Sequence, residues 1–178
     1  MREIVLVRHA AASGQGAEAP LTVEGRQQAV ELADVLLRLG GQRVVSSPFR
    51  RAIESAEPFA RRAGVTIETD PRLVERVLSA RQLPDWRDHL RRSFADLDYC
   101  LEDGEPARAA QERGVAALLA AASGSERSVV VTHGNLLALI LNWVDEQVGY
   151  EDWSQLANPD VFVLRLDGER RSFRRAAR

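Results

Sequence analysis

Apolar residues follow two rhythms along this chain. Ile4, Val5, Leu6 and Val7 form one short unbroken run, and Val129, Val130 and Val131 form another. Such runs read as strands buried on both faces of a parallel sheet, because a strand with one wet face would alternate with polar residues. Elsewhere the apolar positions recur at helical spacing. Ala29, Leu32, Ala33 and Leu36 do so after Thr22, and Ile53 and Phe59 continue a pattern that starts at Ser47-Pro48.

Local signals bound these elements. Thr22 can cap a helix from Val23 to about Leu39, which Gly40-Gly41 stops. A second strand, 43–46, leads into Ser47-Pro48, a cap residue followed by proline at the first helical position, and that helix runs to about Ala63. A third strand spans 65–69. From Arg72 to about Glu105 the pattern weakens; Trp86, His89, Leu90, Phe94 and Leu97 outline a helix after Pro84. Segment 72–105 is expected to cross the sheet's upper edge as a lid or substrate wall.

The remaining elements are a helix from about Pro106 to Ala122, the second apolar strand, and a helix capped by Asn135 that reaches about Val148. A hairpin of 161–166 and 169–174 then turns at Asp167-Gly168. Strands alternating with helices and closing on a hairpin predict one domain over residues 1–178. Its expected fold class is a three-layer α/β/α sandwich, with a mostly parallel central sheet and an antiparallel edge.

Both buried strands end in histidine: Arg8-His9 after the first, His133-Gly134-Asn135 after the second. Taken singly, a histidine after an apolar run is more often structural than catalytic. Two at one sheet edge change that, because ligands of open α/β sheets bind beyond the strands' carboxyl ends. Arg50 and Arg51 occupy the first turn of the helix after Ser47-Pro48, and helical side chains lean toward the N-terminus, so either can reach back over that edge. The helix N-terminus there favours an anion as well. Fixed cations around an imidazole suit phosphoryl transfer, in which a neutral histidine is a competent nucleophile and arginine forks match phosphoryl oxygens.

Composition narrows the classes further. The chain has 178 residues, 45% hydrophobic and 28% charged, which is enough for a sizeable core without disulfides. A net charge of -2 argues against a general nucleic-acid binder, despite a basic tail at Arg170, Arg171, Arg174, Arg175 and Arg178. No apolar stretch approaches the roughly 18 residues of a membrane span. The single Cys100 cannot close an internal disulfide, and Glu3 interrupts the place of a signal peptide, so a cytoplasmic location is expected. Whether the chain forms a homo-oligomer is left open.

The ordered set Leu6-Val7-Arg8-His9, Pro20-Leu21-Thr22 with Gly25 and Gln28-Ala29, Ser46-Ser47-Pro48-Phe49-Arg50-Arg51-Ala52, Arg72-Leu73-Val74-Glu75 and Thr132-His133-Gly134 resembles the histidine phosphatase superfamily, also called the phosphoglycerate mutase-like family. The resemblance implies that His9 is the phosphorylated nucleophile. It implies a phosphate pocket of Arg8, Arg51 and His133, with Glu75 as proton donor to the leaving oxygen and neither a metal nor an organic cofactor. Choosing Arg51 over Arg50 follows the family pattern, and Asp70, Asp85 and Glu102 are rival donors. Three departures stand out: Ala10-Ala11-Ala12 follows Arg8-His9 where the family has a glycine, Gln15 stands where a shorter polar residue is usual, and Val77-Leu78-Ser79-Ala80 replaces a glycine-containing stretch. His89 reads as an ordinary partly exposed residue, Trp143 and Trp153 as core or edge packing, and Trp86 as an anchor of the lid segment, with pocket lining as its alternative.

The function expected from this resemblance is a metal-independent phosphomonoesterase acting on a small phosphorylated metabolite. A cofactor-dependent phosphoglycerate mutase is the alternative, and a phosphate-binding module without turnover a third reading.

Overall fold

The computed structural model describes residues 1–124 and 127–176, so Arg178 of the basic tail lies outside the described residues. In chain order the first elements are β1 (Arg2–Arg8), α1 (Val23–Arg38), β2 (Arg43–Ser46), α2 (Arg50–Ala63) and β3 (Ile67–Thr69). A 3-10 turn at Pro71–Leu73 precedes α3 (Trp86–Ala95), α4 (Ala107–Ala121), β4 (Ser128–Thr132), α5 (Gly134–Val144), α6 (Tyr150–Ser154), β5 (Asp160–Asp167) and β6 (Arg170–Arg175).

The six strands form one sheet in the order β3-β2-β4-β1-β5-β6. Ladders from β3 to β1 are parallel, whereas β1-β5 and β5-β6 are antiparallel. Side chains of a strand alternate faces. Val5, Val7, Val129 and Val131 therefore pack under α1 and α2 against Leu32, Leu36 and Phe59. Ile4, Leu6 and Val130 point the other way, against Leu118, Leu136 and Ile140 of α4 and α5. Burial on both faces is why these strands carry no polar alternation, and the three-layer α/β/α arrangement is the one expected.

Register places the site. Ile4 to Arg8 pairs with Ser128 to Thr132 residue for residue, and the ladder continues with the His9 N–H on the Thr132 carbonyl at 3.0 Å. On the other side of β4 the Ser47 N–H reaches the Val131 carbonyl at 2.9 Å. Strands β1, β2 and β4 thus finish level, with His9, Ser47 and His133 side by side.

Several boundaries differ from expectation. Helix α2 starts at Arg50 rather than Pro48, because Ser47 stays in the strand ladder and its hydroxyl accepts the Phe49 N–H at 3.3 Å. Strand β3 starts at Ile67, since the Val65 N–H is spent on the Ala60 carbonyl at the end of α2. Asn135 does not cap α5; His133 holds the cap position and Asn135 lies inside the first turn. That helix also ends at Val144, where Asn142 Nδ2 donates to the carbonyls of Glu146 and Val148 and turns the chain into α6, an element the pattern did not predict. In the hairpin, Asp167 pairs with Arg170, so Gly168-Glu169 is the turn, and the positive φ of 62° falls on Gly168 as a type II′ turn requires.

The loop after His9 is clamped to α1. The Ala11 N–H donates to Gln28 Oε1 at 2.9 Å, and the Ala11 carbonyl accepts from Thr22 N at 3.0 Å. Ala10 is fully buried against Leu21 and Ala29. A Cβ on Gly25 would sit 1.9 Å from the Ala11 carbonyl oxygen, closer than any contact allows. The motif residues around Gly25 and Gln28-Ala29 therefore hold the histidine loop in place. Gly25→Ala is expected to cost about 1–3 kcal/mol or more as an overpacked backbone contact, read as a lower urea midpoint at unchanged m-value. An unchanged midpoint would mean that the loop can move away from α1.

Candidate active site

His9 is only 8% exposed. Its Nδ1 lies 2.7 Å from the Ala10 carbonyl, which can only accept, so Nδ1 is assigned the proton. Nε2 is then the acceptor, and Arg51 Nε donates to it at 3.1 Å. Burial pulls the imidazole down from 6.5 to about 4; the Ala10 carbonyl opposes this, and the charges of Arg51 and Arg8 add to it. At neutral pH the ring is uncharged, with a lone pair on Nε2, as nucleophilic attack requires. Alanine at position 10 is accommodated: among the described residues none other than glycine has a positive φ, and the Ala10 N–H donates to Ser55 Oγ at 2.9 Å.

Of the two candidate arginines, Arg51 is the one placed at His9. It is 1% exposed, with Nη1 donating to the carbonyls of Gln15 and Gly16 at 3.0 and 2.8 Å. Arg50 points outward and pairs with Glu54 at 2.6 Å. Gln15 is exposed and lines the cleft, so what it gives Arg51 is a backbone carbonyl.

His133 is fully buried, its ring centroid 5.1 Å from that of His9. Ser47 Oγ accepts the Phe49 N–H and so has its own hydrogen free for His133 Nε2, 2.7 Å away. The proton of the neutral ring then lies on Nδ1, and burial, followed by the charges of His9 and Arg51, holds its pKa well below the ordinary value.

Arg8 Nη1 donates to the carbonyls of Leu156 and Ala157 at 2.9 and 3.3 Å, and its guanidinium lies against Gly134, where a Cβ would come within 3.1 Å of Nε. Asp160, paired with Arg175, accepts the Ala157 N–H at 2.9 Å, and Asn158 Nδ2 donates to the His9 carbonyl at 2.8 Å. Among the described residues, the buried side-chain nitrogens and oxygens without a partner are Arg8 Nε, His133 Nδ1 and the two amide atoms of Asn135. All belong to the sheet edge around His9. Orphaned buried donors cost roughly 1–3 kcal/mol each, and an oxyanion placed among them would recover that cost.

Glu75 faces the same edge. Its Oε2 accepts the Asn135 N–H and its Oε1 the Leu136 N–H, both at 3.0 Å, with the Arg76 N–H on Oε1 at 2.9 Å. The carboxylate thus caps α5, and its charge opposes the burial that lowers the Arg8 and Arg51 pKa values. Its sequence neighbours turn elsewhere: Arg72 pairs with Asp70, and Arg76 donates to the Glu105 carbonyl and Ser93 hydroxyl at 2.8 and 2.7 Å. Arg113 grips Glu105 through Nε and Nη2 while its Nη1 holds the carbonyls of Arg72 and Val74 at 2.6 and 2.8 Å. Of the rival donors, Asp70 is engaged by Arg72, Asp85 is exposed beside His89, and Glu102 is exposed.

A cleft of about 820 Å³ opens from this edge. Trp153, expected to be packing, lines it with Trp86, the rings meeting edge to face at 5.8 Å. Sequence reading also missed Ser47 as the His133 partner and Asn135 as more than a cap; the tripeptide His133-Gly134-Asn135 after a buried strand was the available signal. Nothing local marked Ser55, Asn158 or Asp160. No cluster of three or more His, Cys, Asp or Glu placed to hold a metal occurs among the described residues. None of the model's helices, over those residues, is long and apolar enough to cross a membrane.

A family model, histidine phosphatase superfamily (branch 1), matches residues 4–177. The chain belongs to that superfamily. This histidine phosphatase family member is 30% identical over 211 residues to the glucosyl-3-phosphoglycerate phosphatase of Mycolicibacterium vanbaalenii, covering 97% of this chain and 90% of that one. It is 31% identical over 176 residues to a Salmonella arizonae protein named probable phosphoglycerate mutase GpmB, covering 87% and 79%. Among solved structures, mycobacterial glucosyl-3-phosphoglycerate phosphatase in complex with inorganic phosphate superposes with a TM-score of 0.75 at 26% identity, over 99% of this chain and 96% of that one.

The His9 assignment has a direct check. In nitrogen-detected NMR of the free protein, His9 is expected as the Nδ1–H tautomer, titrating with a midpoint at about 4. Because that value is depressed, the neutral ring persists above it and is lost only as the pH falls through it. A midpoint near 6.5 would refute the burial argument.

Proposed function

We propose that this chain is a phosphomonoesterase working through a phosphohistidine at His9. The observation that carries the reading is the geometry at His9: Nδ1 lies on the Ala10 carbonyl, which leaves Nε2 as the acceptor beside Arg51 Nε and the unpartnered donors of Arg8 and His133. Nε2 attacks phosphorus while Arg8, Arg51 and His133 Nδ1–H receive the charge that spreads over the phosphoryl oxygens. Glu75 takes up the proton that the monoanionic phosphate ester carries into the site and passes it to the leaving alcohol oxygen as the ester bond breaks. It then takes a proton from the water that attacks phosphohistidine, releasing inorganic phosphate and restoring His9. These steps need neither a metal nor an organic cofactor.

Residues 1–178 act as one unit in this reading, and segment 72–105 supplies the wall of the alcohol site, since Val77, Leu78, Leu83, Trp86 and Leu90 line the cleft. Hydrolysis is favoured over transfer because exposed Gln15, Arg81 and Gln82 border that cleft and leave it open to water. The named phosphoglycerate mutase among the relatives keeps phosphoryl transfer as the second reading.

Rapid quench with radiolabelled substrate is expected to trap an acid-labile, base-stable label in the wild type and none in His9→Ala, whose turnover is abolished. Label released to water faster than to an added phosphoglycerate supports the phosphatase; the reverse supports the mutase. Glu75→Gln is expected to lower kcat/KM on alkyl phosphates by about 10²–10⁴-fold, as for loss of a general acid, and to affect p-nitrophenyl phosphate far less. Equal losses on both would remove Glu75 from that role.

A further inference from the structure

The cleft reaches well past the phosphate end of the site, and its about 820 Å³ is a volume that holds a ligand much larger than a phosphate ion. Beyond Glu75 its wall is Val77, Leu78, Leu83, Trp86 and Leu90, closed by Trp153 from α6. Trp86 is 39% exposed and belongs to none of the core clusters among the described residues. Arg87 stacks over its ring at 5.0 Å and Trp153 meets it edge to face, so the indole is held in place on the open cleft. Exposed aromatic surface rimmed by polar residues marks a contact with something apolar.

The charges in the cleft point the same way. Arg76 is 5% exposed and spends Nε on the Glu105 carbonyl and Nη1 on the Ser93 hydroxyl. Arg81 pairs with Asp103 at 3.1 Å, and Asp103 also takes the Ser79 hydroxyl. A carboxylate or second phosphate on the leaving group would have to draw Arg81 from Asp103 or share Arg76 with the partners it already holds.

We propose that the alcohol released by this site is uncharged and carries an apolar or aromatic body that seats against Trp86 and Trp153. The substrate class is then the monoester of such an alcohol, rather than a phosphoglycerate or another ester with a second anionic group. This rests on the phosphomonoesterase reading above.

The test compares kcat/KM for four esters of aliphatic alcohols: 2-phenylethyl phosphate, ethyl phosphate, glycerol 3-phosphate and 3-phosphoglycerate. The phenylethyl ester is expected to exceed each of the others by at least about 10-fold, the scale on which an apolar pocket discriminates. In Trp86→Ala and in Trp153→Ala the ratio of phenylethyl to ethyl phosphate should fall toward one. The ratio is internal, so partial loss of folded protein scales both rates and leaves it unchanged. A preference for 3-phosphoglycerate or glycerol 3-phosphate, or a phenylethyl preference that survives both substitutions, would overturn the proposal. Equal turnover of all four esters with label on His9 would remove the substrate class and keep the phosphatase. No turnover and no label would remove both.

Discussion

The parallel ladder between β1 and β4 is the constraint on which the rest of the site depends. Because Arg8 pairs with Thr132 and the His9 N–H continues the ladder to the Thr132 carbonyl, the two histidines leave the sheet at the same level. A slip of one residue would send every side chain of β1 to the opposite face. That would drive Ile4 and Leu6 toward α1 and α2 and carry Arg8 off the N-terminus of α5. The register of this ladder thus also fixes the geometry of the candidate site.

Burial does the electrostatic work that follows. Imidazoles placed in water would be partly protonated near neutrality and would lose their lone pairs to solvent. Here the sheet edge excludes water from His9 and His133, and desolvation is the first cause of both depressed pKa values. The same desolvation leaves Arg8 Nε, His133 Nδ1 and the Asn135 amide unpartnered. An oxyanion would satisfy the donors among them, so under the proposed function part of the affinity for phosphoryl oxygens is set in folding stability.

The fold was legible because its signals are periodic and local. The unbroken apolar runs of β1 and β4, the Thr22 cap and the helical spacing from Ala29 to Leu36 each report their own element. Boundaries were misread where a hydrogen bond outside the periodic pattern decides them: Ser47 stays in the ladder because Val131 is opposite it, and Asn142 turns the chain by donating to the carbonyls of Glu146 and Val148. At the site, His9 and His133 were readable as strand ends. Asn158 and Asp160 were not, since each acts on a backbone group that β1 or the loop before β5 brings to it.

Glu75 shows why the last component resists any reading by spacing. Its place is set by Thr132 Oγ1 on the Leu73 carbonyl, 2.8 Å away, and by Arg113 on the carbonyls of Arg72 and Val74. Arg113 in turn is held by Glu105, whose own carbonyl takes Arg76 on the far side of Glu75. The carboxylate is therefore clamped from β4, from α4 and from the end of the 72–105 segment at once. Since it also caps α5 beside Asn135, any movement of that segment alters the charge next to Arg8 and Arg51 as well as the shape of the alcohol site. The cleft wall of that segment and the carboxyl proposed as the acid are therefore held by one network of hydrogen bonds.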